Sequence, residues 1–225
     1  MVKLIVFDWD DVITLGAKQG YFACYDAALL AVAVELPEAE KTKRILARWG
    51  KPFAQVLELL LAEHPQLQDQ AVASFEKHFT GETFVSQLTM IPGTITTLKT
   101  LATDYQLAVA TGNHPEMIQR IMKKFQIPSA LFKKIISSFE VAPDQVKPHP
   151  FMLEKLMNEL QISKSETIYV GDAATDVIMA KNAGVLPVVV LTGHLNQEQA
   201  KALKVKEIIP NINHLPRILT SISCN

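Results

Sequence analysis

The chain begins with an apolar run, Val2, Leu4, Ile5, Val6 and Phe7, that ends in three carboxylates, Asp8, Asp10 and Asp11, followed by Val12-Ile13-Thr14. So short and apolar a run reads as a strand buried on both faces, the form taken in parallel sheets covered by helices. Its C-terminal end is where open parallel sheets bind ligands, so the acids fall at a functional edge and not in a random loop. A buried strand thus delivers acid groups to its own C-terminal end.

The rest of the chain continues the pattern. From Pro92 onward short apolar runs alternate with amphipathic segments, which predicts strand–helix units and a parallel sheet. Strands are expected at 2–7, 107–110, 135–137, 167–170 and 188–191, with a weaker one at 207–209. Between them Ile118, Ile121, Met122 and Phe125 follow helical spacing, as do Leu153, Leu156, Met157 and Leu160. Asn182-Ala183-Gly184 reads as a helix end with glycine past the last turn. The stretch 15–90 differs. It shows no alternating strand and predicts helices at 21–34, 38–47, 53–62 and 68–84, broken at Pro37, Gly50-Lys51-Pro52 and Pro65, until Ile91-Pro92-Gly93 restores the earlier pattern. The expected fold class is therefore α/β, a Rossmann-like doubly wound parallel sheet formed by 1–14 and 91–225, with an inserted all-helical cap domain at 15–90.

Composition narrows the function classes. A chain of 225 residues can bury one full core and a smaller accessory domain, and 48% hydrophobic with 20% charged residues describes a folded protein. A net charge of -1, with only short pairs such as Lys123-Lys124 and Lys133-Lys134, gives no basic face for nucleic acid or an anionic membrane. The longest apolar run, 27–34, is far short of the ~20 residues that cross a bilayer. No signal peptide is evident, and Cys24 and Cys224 have no metal-ligand spacing, so a reducing cytoplasm is the default. Cys24 is expected in the core and Cys224 at the surface. His64, His78, His149, His194 and His214 form no HxxxH-type pair, which argues against zinc. Phe75 and Phe79 are spaced as a helix core face.

Four expected strands end in residues of matching chemistry: Asp8-Trp9-Asp10, Thr111-Gly112-Asn113, the loop Lys147-Pro148-His149-Pro150, and Gly171-Asp172 with Asp176 beyond. An aspartate at position 8 can attack phosphorus and split one displacement into two. Asp10 can protonate the leaving oxygen and then take a proton from the hydrolytic water. Thr111, with Gly112 and Asn113, offers a hydroxyl and backbone N–H groups to phosphoryl oxygens, and Lys147 supplies a balancing point charge. Acids converging on a phosphate dianion call for a hard cation, so the candidate metal set for Mg²⁺ is Asp8, Asp10, Asp172 and Asp176, with a backbone carbonyl assisting and Asp176 orienting the others from behind.

The ordered set Asp8-x-Asp10, Thr111, Lys147 and Gly171-Asp172-x-x-x-Asp176 resembles the haloacid dehalogenase superfamily, most closely its phosphoglycolate phosphatase and β-phosphoglucomutase-like members with a small helical cap. Each motif alone also fits a turn, a solvated loop lysine or a helix cap; four in order at strand ends do not. The resemblance implies Mg²⁺, an aspartyl-phosphate intermediate, a cap that opens and closes, and a small phosphorylated metabolite as substrate, for a monomer or homodimer that binds neither nucleic acid nor membrane. Position 11 is aspartate where many relatives have glycine, and position 12 valine where many have threonine. Dehalogenases and phosphonate-cleaving relatives lack a second aspartate at the place of Asp10. Phosphomutases usually carry an acid where this chain has Gly171 and a cap histidine near position 20, which here is glycine. Hydrolysis of a phosphomonoester is thus expected, with phosphomutase and non-catalytic phosphate binding as alternatives. In the cap, Arg48, Trp49 and Lys51 flank the Gly50 turn, and Arg48 and Lys51 are candidates for meeting the substrate, as are Asn113 and His114 beside the cleft.

Overall fold

The structure, a computed structural model, describes residues 1–222, so the expectation for Cys224 lies outside the described residues. In chain order it runs β1 (Leu4–Phe7), α1 (Ala17–Ala31), α2 (Glu38–Ala47), α3 (Phe53–Leu60), α4 (Gln68–Phe79), α5 (Glu82–Gln87), α6 (Thr94–Asp104), β2 (Gln106–Thr111), α7 (Pro115–Phe125), β3 (Phe132–Ser137), α8 (Phe151–Leu160), β4 (Thr167–Gly171), α9 (Ala174–Asn182), β5 (Leu186–Val190), α10 (Gln197–Ala202), β6 (Glu207–Ile209) and α11 (Leu215–Ile222). The chain divides into two compact units, Met1–Leu15 with Thr89–Asn225, and Gly16–Leu88.

The first unit holds a six-stranded parallel sheet of order β3-β2-β1-β4-β5-β6. This is a doubly wound order, and the chain reverses its direction of travel across the sheet at β1 and β4, where such folds open a ligand crevice. β1 pairs on both sides, Phe7 lying beside Val109 and Val170, and all four of its side chains are buried. Leu4 and Val6 face one side, where they meet Met152, Leu153 and Leu156 of α8 and Met179 and Ala180 of α9. A second apolar cluster joins Val177 of α9, Val189 of β5, Leu195, Ala200 and Val205. Leu15 and Thr89 exchange backbone hydrogen bonds of 2.8 and 2.9 Å, so the chain leaves this unit and returns to it at adjacent points.

The expected strands are all present, with shifted ends. β1 starts at Leu4, although Lys3 already bonds Glu166 and Gln106 through its backbone. β3 begins at Phe132, earlier than the expected 135, because an edge strand tolerates the exposed Lys133 and Lys134. β5 runs from Leu186 to Val190.

The second unit is helical throughout. α1 packs on α4 and α5, and α2 on α3. Its core is aromatic: the Phe75 ring lies 4.6 Å from Phe53 and 4.7 Å from Tyr25, and the Tyr21 ring lies 5.4 Å from Phe79 and 5.2 Å from Phe84. Phe75 and Phe79 thus serve as core, and Cys24 is fully buried. The single helix expected at 68–84 is two, because the chain turns at Thr80-Gly81; Gly81 adopts an extended ψ of -155°, and a β-carbon there would sit 2.8 Å from the Lys77 carbonyl oxygen. Among the described residues no helix is long and apolar enough to cross a membrane.

Candidate active site

The sheet delivers the acids directly. Asp8 follows the last residue of β1, and its backbone N–H donates to Val170 O of the neighbouring β4. Its own Oδ1 accepts the N–H of Trp9 at 2.7 Å. Trp9 then turns the chain: its carbonyl accepts N–H bonds from Val12, Ile13 and Thr14, and Asp11 takes the left-handed conformation with φ 56°. Glycine suits that backbone best, while aspartate is one of the few side chains that enter it at modest cost, which accounts physically for the substitution at position 11.

Lys147 links the strand ends. Its ammonium lies 2.9 Å from Asp8 Oδ2 and 2.8 Å from Asp176 Oδ1, with the side chain 11% exposed. Asp176, in the first turn of α9, has both oxygens doubly engaged. Oδ1 accepts from Lys147 and from the Tyr169 hydroxyl at 3.1 Å, and Oδ2 accepts the backbone N–H groups of Asp172 and Ala173, each at 3.1 Å. Oxygens of Asp8, Asp172 and Asp176 come within 4.8 Å of one another. Asp10 is not among those three; its two oxygens accept from the Asn113 amide nitrogen at 3.0 and 3.1 Å. Thr111, at the end of β2, is buried and its hydroxyl accepts the Asn113 N–H at 3.1 Å. Gly112 has open space where a side chain would be, and its carbonyl accepts from the Ser138 hydroxyl.

Burial and like charge set the protonation of the acids. Desolvation, with Asp176 and Asp172 adding to it against the opposing pull of Lys147, raises Asp8 from 3.8 to about 7. Asp10 is pushed well above the ordinary carboxylate range, first by burial and then by Asp8 and Asp11, with the Asn113 amide opposing. For Lys147 burial works against the charged form, but Asp176 and Asp8 outweigh it and hold the ammonium above its ordinary value. The site is thus a cluster in which one buried cation stands against several acids.

Three supporting residues carry no spacing signal in the sequence. The Tyr169 hydroxyl donates to Asp176 and lies 3.0 Å from Ala110 O, tying β4 to β2. Ser137 Oγ donates to Asn113 O at 2.6 Å, fixing the loop that holds Asp10. His194 contacts Asp172 through its backbone N–H and its ring Nδ1. A tyrosine in the middle of a wholly buried strand is the one hint that could have marked Tyr169. The cap candidates lie in the helical unit. Arg48 donates to Gln55 O and Glu58 Oε2, Trp49 packs against Tyr21 and Phe22, and Lys51 is exposed in the turn. His114 caps α7 through its Nδ1 and meets Phe139 edge-on at 4.8 Å.

A doubly wound parallel sheet with an acid–lysine cluster at its switch point, interrupted after β1 by a helical unit, defines the architectural class. The family model for haloacid dehalogenase-like hydrolases matches residues 2–184, and the chain belongs to that family. It is 35% identical over 127 residues to the pyrophosphatase PpaX of Halalkalibacterium halodurans, covering 56% of this chain and 57% of that protein. It is 27% identical over 122 residues to a phosphoglycolate phosphatase of Pasteurella multocida, covering 52% and 53%. The matches thus span about half the length of these relatives. Among solved structures it is similar to a HAD-superfamily hydrolase, subfamily IA, of Geobacter sulfurreducens, with a TM-score of 0.75 at 22% identity over 97% of this chain and 96% of that one, a likeness of fold.

Proposed function

We propose that this chain is a Mg²⁺-dependent phosphomonoester hydrolase of the cytoplasm, acting on a small phosphorylated metabolite through an aspartyl phosphate on Asp8, with Gly16–Leu88 as its cap. The observation that carries this reading is the placement of Asp8, Lys147, Asp172 and Asp176 in one cluster, with Asp10 held separately by Asn113. An all-oxygen donor set with excess negative charge fits a hard divalent ion. Asp8 and Asp172 would hold it, with a backbone carbonyl assisting, and it would supply electrostatic stabilisation of the phosphoryl oxygens. Asp176, its lone pairs already engaged, fixes Lys147 and the start of α9.

In this mechanism Asp8 attacks phosphorus while the Lys147 ammonium balances charge on the nucleophile and on the transferring group. Asp10 favours its protonated form beside Asp8, which suits an acid that gives its proton to the leaving oxygen; the resulting carboxylate then takes a proton from water, and the acyl phosphate on Asp8 is hydrolysed. The buried Thr111 hydroxyl and the open backbone at Gly112 receive phosphoryl oxygens. The phosphomutase alternative is less favoured because this chain has glycine at 171 and at 20. A β-carbon at Gly171 would sit 2.5 Å from the Asp176 β-carbon, and one at Gly20 would sit 2.6 Å from the Phe84 ring, so neither an acid nor a histidine fits there without rearrangement.

The test is phosphate release from a panel of phosphorylated metabolites headed by phosphoglycolate and pyrophosphate, with Mg²⁺ and with EDTA, and with Asp8→Asn as the blank. Metal-dependent release from a narrow set, absent in the blank, is expected. A folded protein that releases phosphate from no member, or an Asp8→Asn variant that still turns over, would overturn the proposal.

A further inference from the structure

The turn after β5 closes on Asp172 in a way the mechanism above does not use. Two donors of one residue converge on a single carboxylate oxygen: the His194 backbone N–H reaches Asp172 Oδ2 at 2.9 Å, and His194 Nδ1 reaches the same atom at 2.7 Å. The backbone is tied as well, since Leu195 N–H donates to Asp172 O at 2.8 Å while the Leu195 side chain is buried in the cluster of Val177, Val189, Ala200 and Val205. Thr192 Oγ1 donates to the carbonyl of Asp11 in the loop after β1. Gly193 makes the approach possible: a β-carbon there would lie 1.9 Å from Asp172 Oδ2, inside any van der Waals contact.

The carboxylate oxygen is the acceptor at this contact, which is made by the His194 tautomer that carries its proton on Nδ1. The Asp172 side chain is 3% exposed, which leaves little water to compete for these bonds. Two donors occupy the lone pairs of Oδ2, so a cation approaching Asp172 finds Oδ1 as the available atom, on a side chain held in one rotamer. Outer hydrogen-bond partners of this kind fix the orientation of a metal-ligating group, and losing one typically lowers metal affinity about 10–100-fold.

We infer that His194, seated by Gly193, is a positioning residue that fixes Asp172 Oδ2 and presents Oδ1 to the divalent cation. The inference rests on the metal-dependent reading given above. His194 does not touch the reacting atoms; it acts through Asp172.

The experiment measures binding, not turnover. Mn²⁺ is titrated into the wild-type protein and its variants, with free ion counted by electron paramagnetic resonance, and Mg²⁺ affinity is taken by competition. His194→Ala, which keeps the backbone donor and loses the ring donor, is expected to bind Mn²⁺ about 10-fold or more weakly. His194→Asn, whose amide nitrogen can replace Nδ1, is expected to restore most of the affinity. Gly193→Ala, which forces Asp172 and the turn apart, is expected to weaken binding at least as much as His194→Ala, and circular dichroism confirms that each variant is folded. Equal affinity in wild type and His194→Ala overturns the inference, as does tighter binding in His194→Ala, which would make the imidazole a competitor for the site. Equal losses in the alanine and asparagine variants also overturn it, since they mark general disruption. A wild-type protein that binds neither ion overturns the metal reading itself, a result distinct from the others.

Discussion

Replacing Asp8 with asparagine is expected to stabilise the metal-free protein while abolishing turnover. Asp8 is buried among Asp172 and Asp176, its side chain 14% exposed, and its carboxyl is raised from 3.8 to about 7. A carboxyl raised in the folded state binds a proton that the unfolded chain has already lost, so stability falls as pH climbs through the window from 3.8 to about 7. At about 1.4 kcal/mol per pH unit the deficit grows to about 4 kcal/mol by pH 8 and vanishes near pH 4. Asparagine matches the neutral acid in shape and carries none of that deficit. The variant should therefore unfold about 8–16 °C above wild type at pH 8 in EDTA, since about 2–4 °C accompany each kcal/mol in a chain of this size. The gap should close as pH approaches 4. Saturating Mg²⁺ should narrow it at pH 8, because an ion that binds the native state raises wild-type stability by mass action and the variant lacks one of the proposed ligands. Thermal unfolding by circular dichroism across pH, with EDTA and with Mg²⁺, reads all three effects. Equal midpoints at pH 8 in EDTA, or a gap that does not change with pH, would refute the account of Asp8 as a charge held against the interests of the fold.

Other consequences are as direct. Asp10→Asn should lose most turnover yet accumulate phosphoenzyme visible by acid-quenched mass spectrometry, because hydrolysis would lack its proposed base; absence of any trapped adduct under substrate excess would count against the proposed role of Asp10. Gly20→Ala should destabilise the helical unit by about 1–3 kcal/mol through collision with the Phe84 ring, measured by urea denaturation, and unchanged stability would show that the aromatic core has room to yield. Asp11→Gly should fold at least as stably as wild type, whereas Asp11→Val should lose about 1–2 kcal/mol, because a branched side chain resists the left-handed backbone at φ 56°. A valine variant as stable as the glycine variant would remove that explanation.

What the sequence reveals of this site depends on where the chemistry lies along the strands. Asp8, Thr111, Lys147 and Asp172 were legible because each follows an apolar run or sits in the loop beyond one, and four such groups in order at the ends of buried strands have few other uses. Strand ends were less legible at the sheet edge, where β3 carries Lys133 and Lys134 without penalty and so hides its first turns of the ladder. The break between α4 and α5 rests on one glycine beside the Lys77 carbonyl, a contact with no periodicity.

Local pattern marks Asn113 only as a strand-end candidate for the substrate, with no sign of its bond to Asp10, and marks His194 not at all, yet strand order accounts for both. Asn113 stands 103 residues from Asp10, and His194 stands 22 residues from Asp172. The spacing of His194 to its neighbours in the chain signals none of this. Read against the sheet, His194 lies just past β5, which runs beside β4, so the turn it occupies has to pass the residue at the tip of β4, and that residue is Asp172. Asn113 reaches Asp10 by the same rule, since β2 runs beside β1. In a parallel sheet all strand tips point one way, so residues just beyond adjacent strands become neighbours whatever their separation in sequence. Once the order β3-β2-β1-β4-β5-β6 is known, the loops after β2 and β5 are the places to look for groups that hold the acids of β1 and β4.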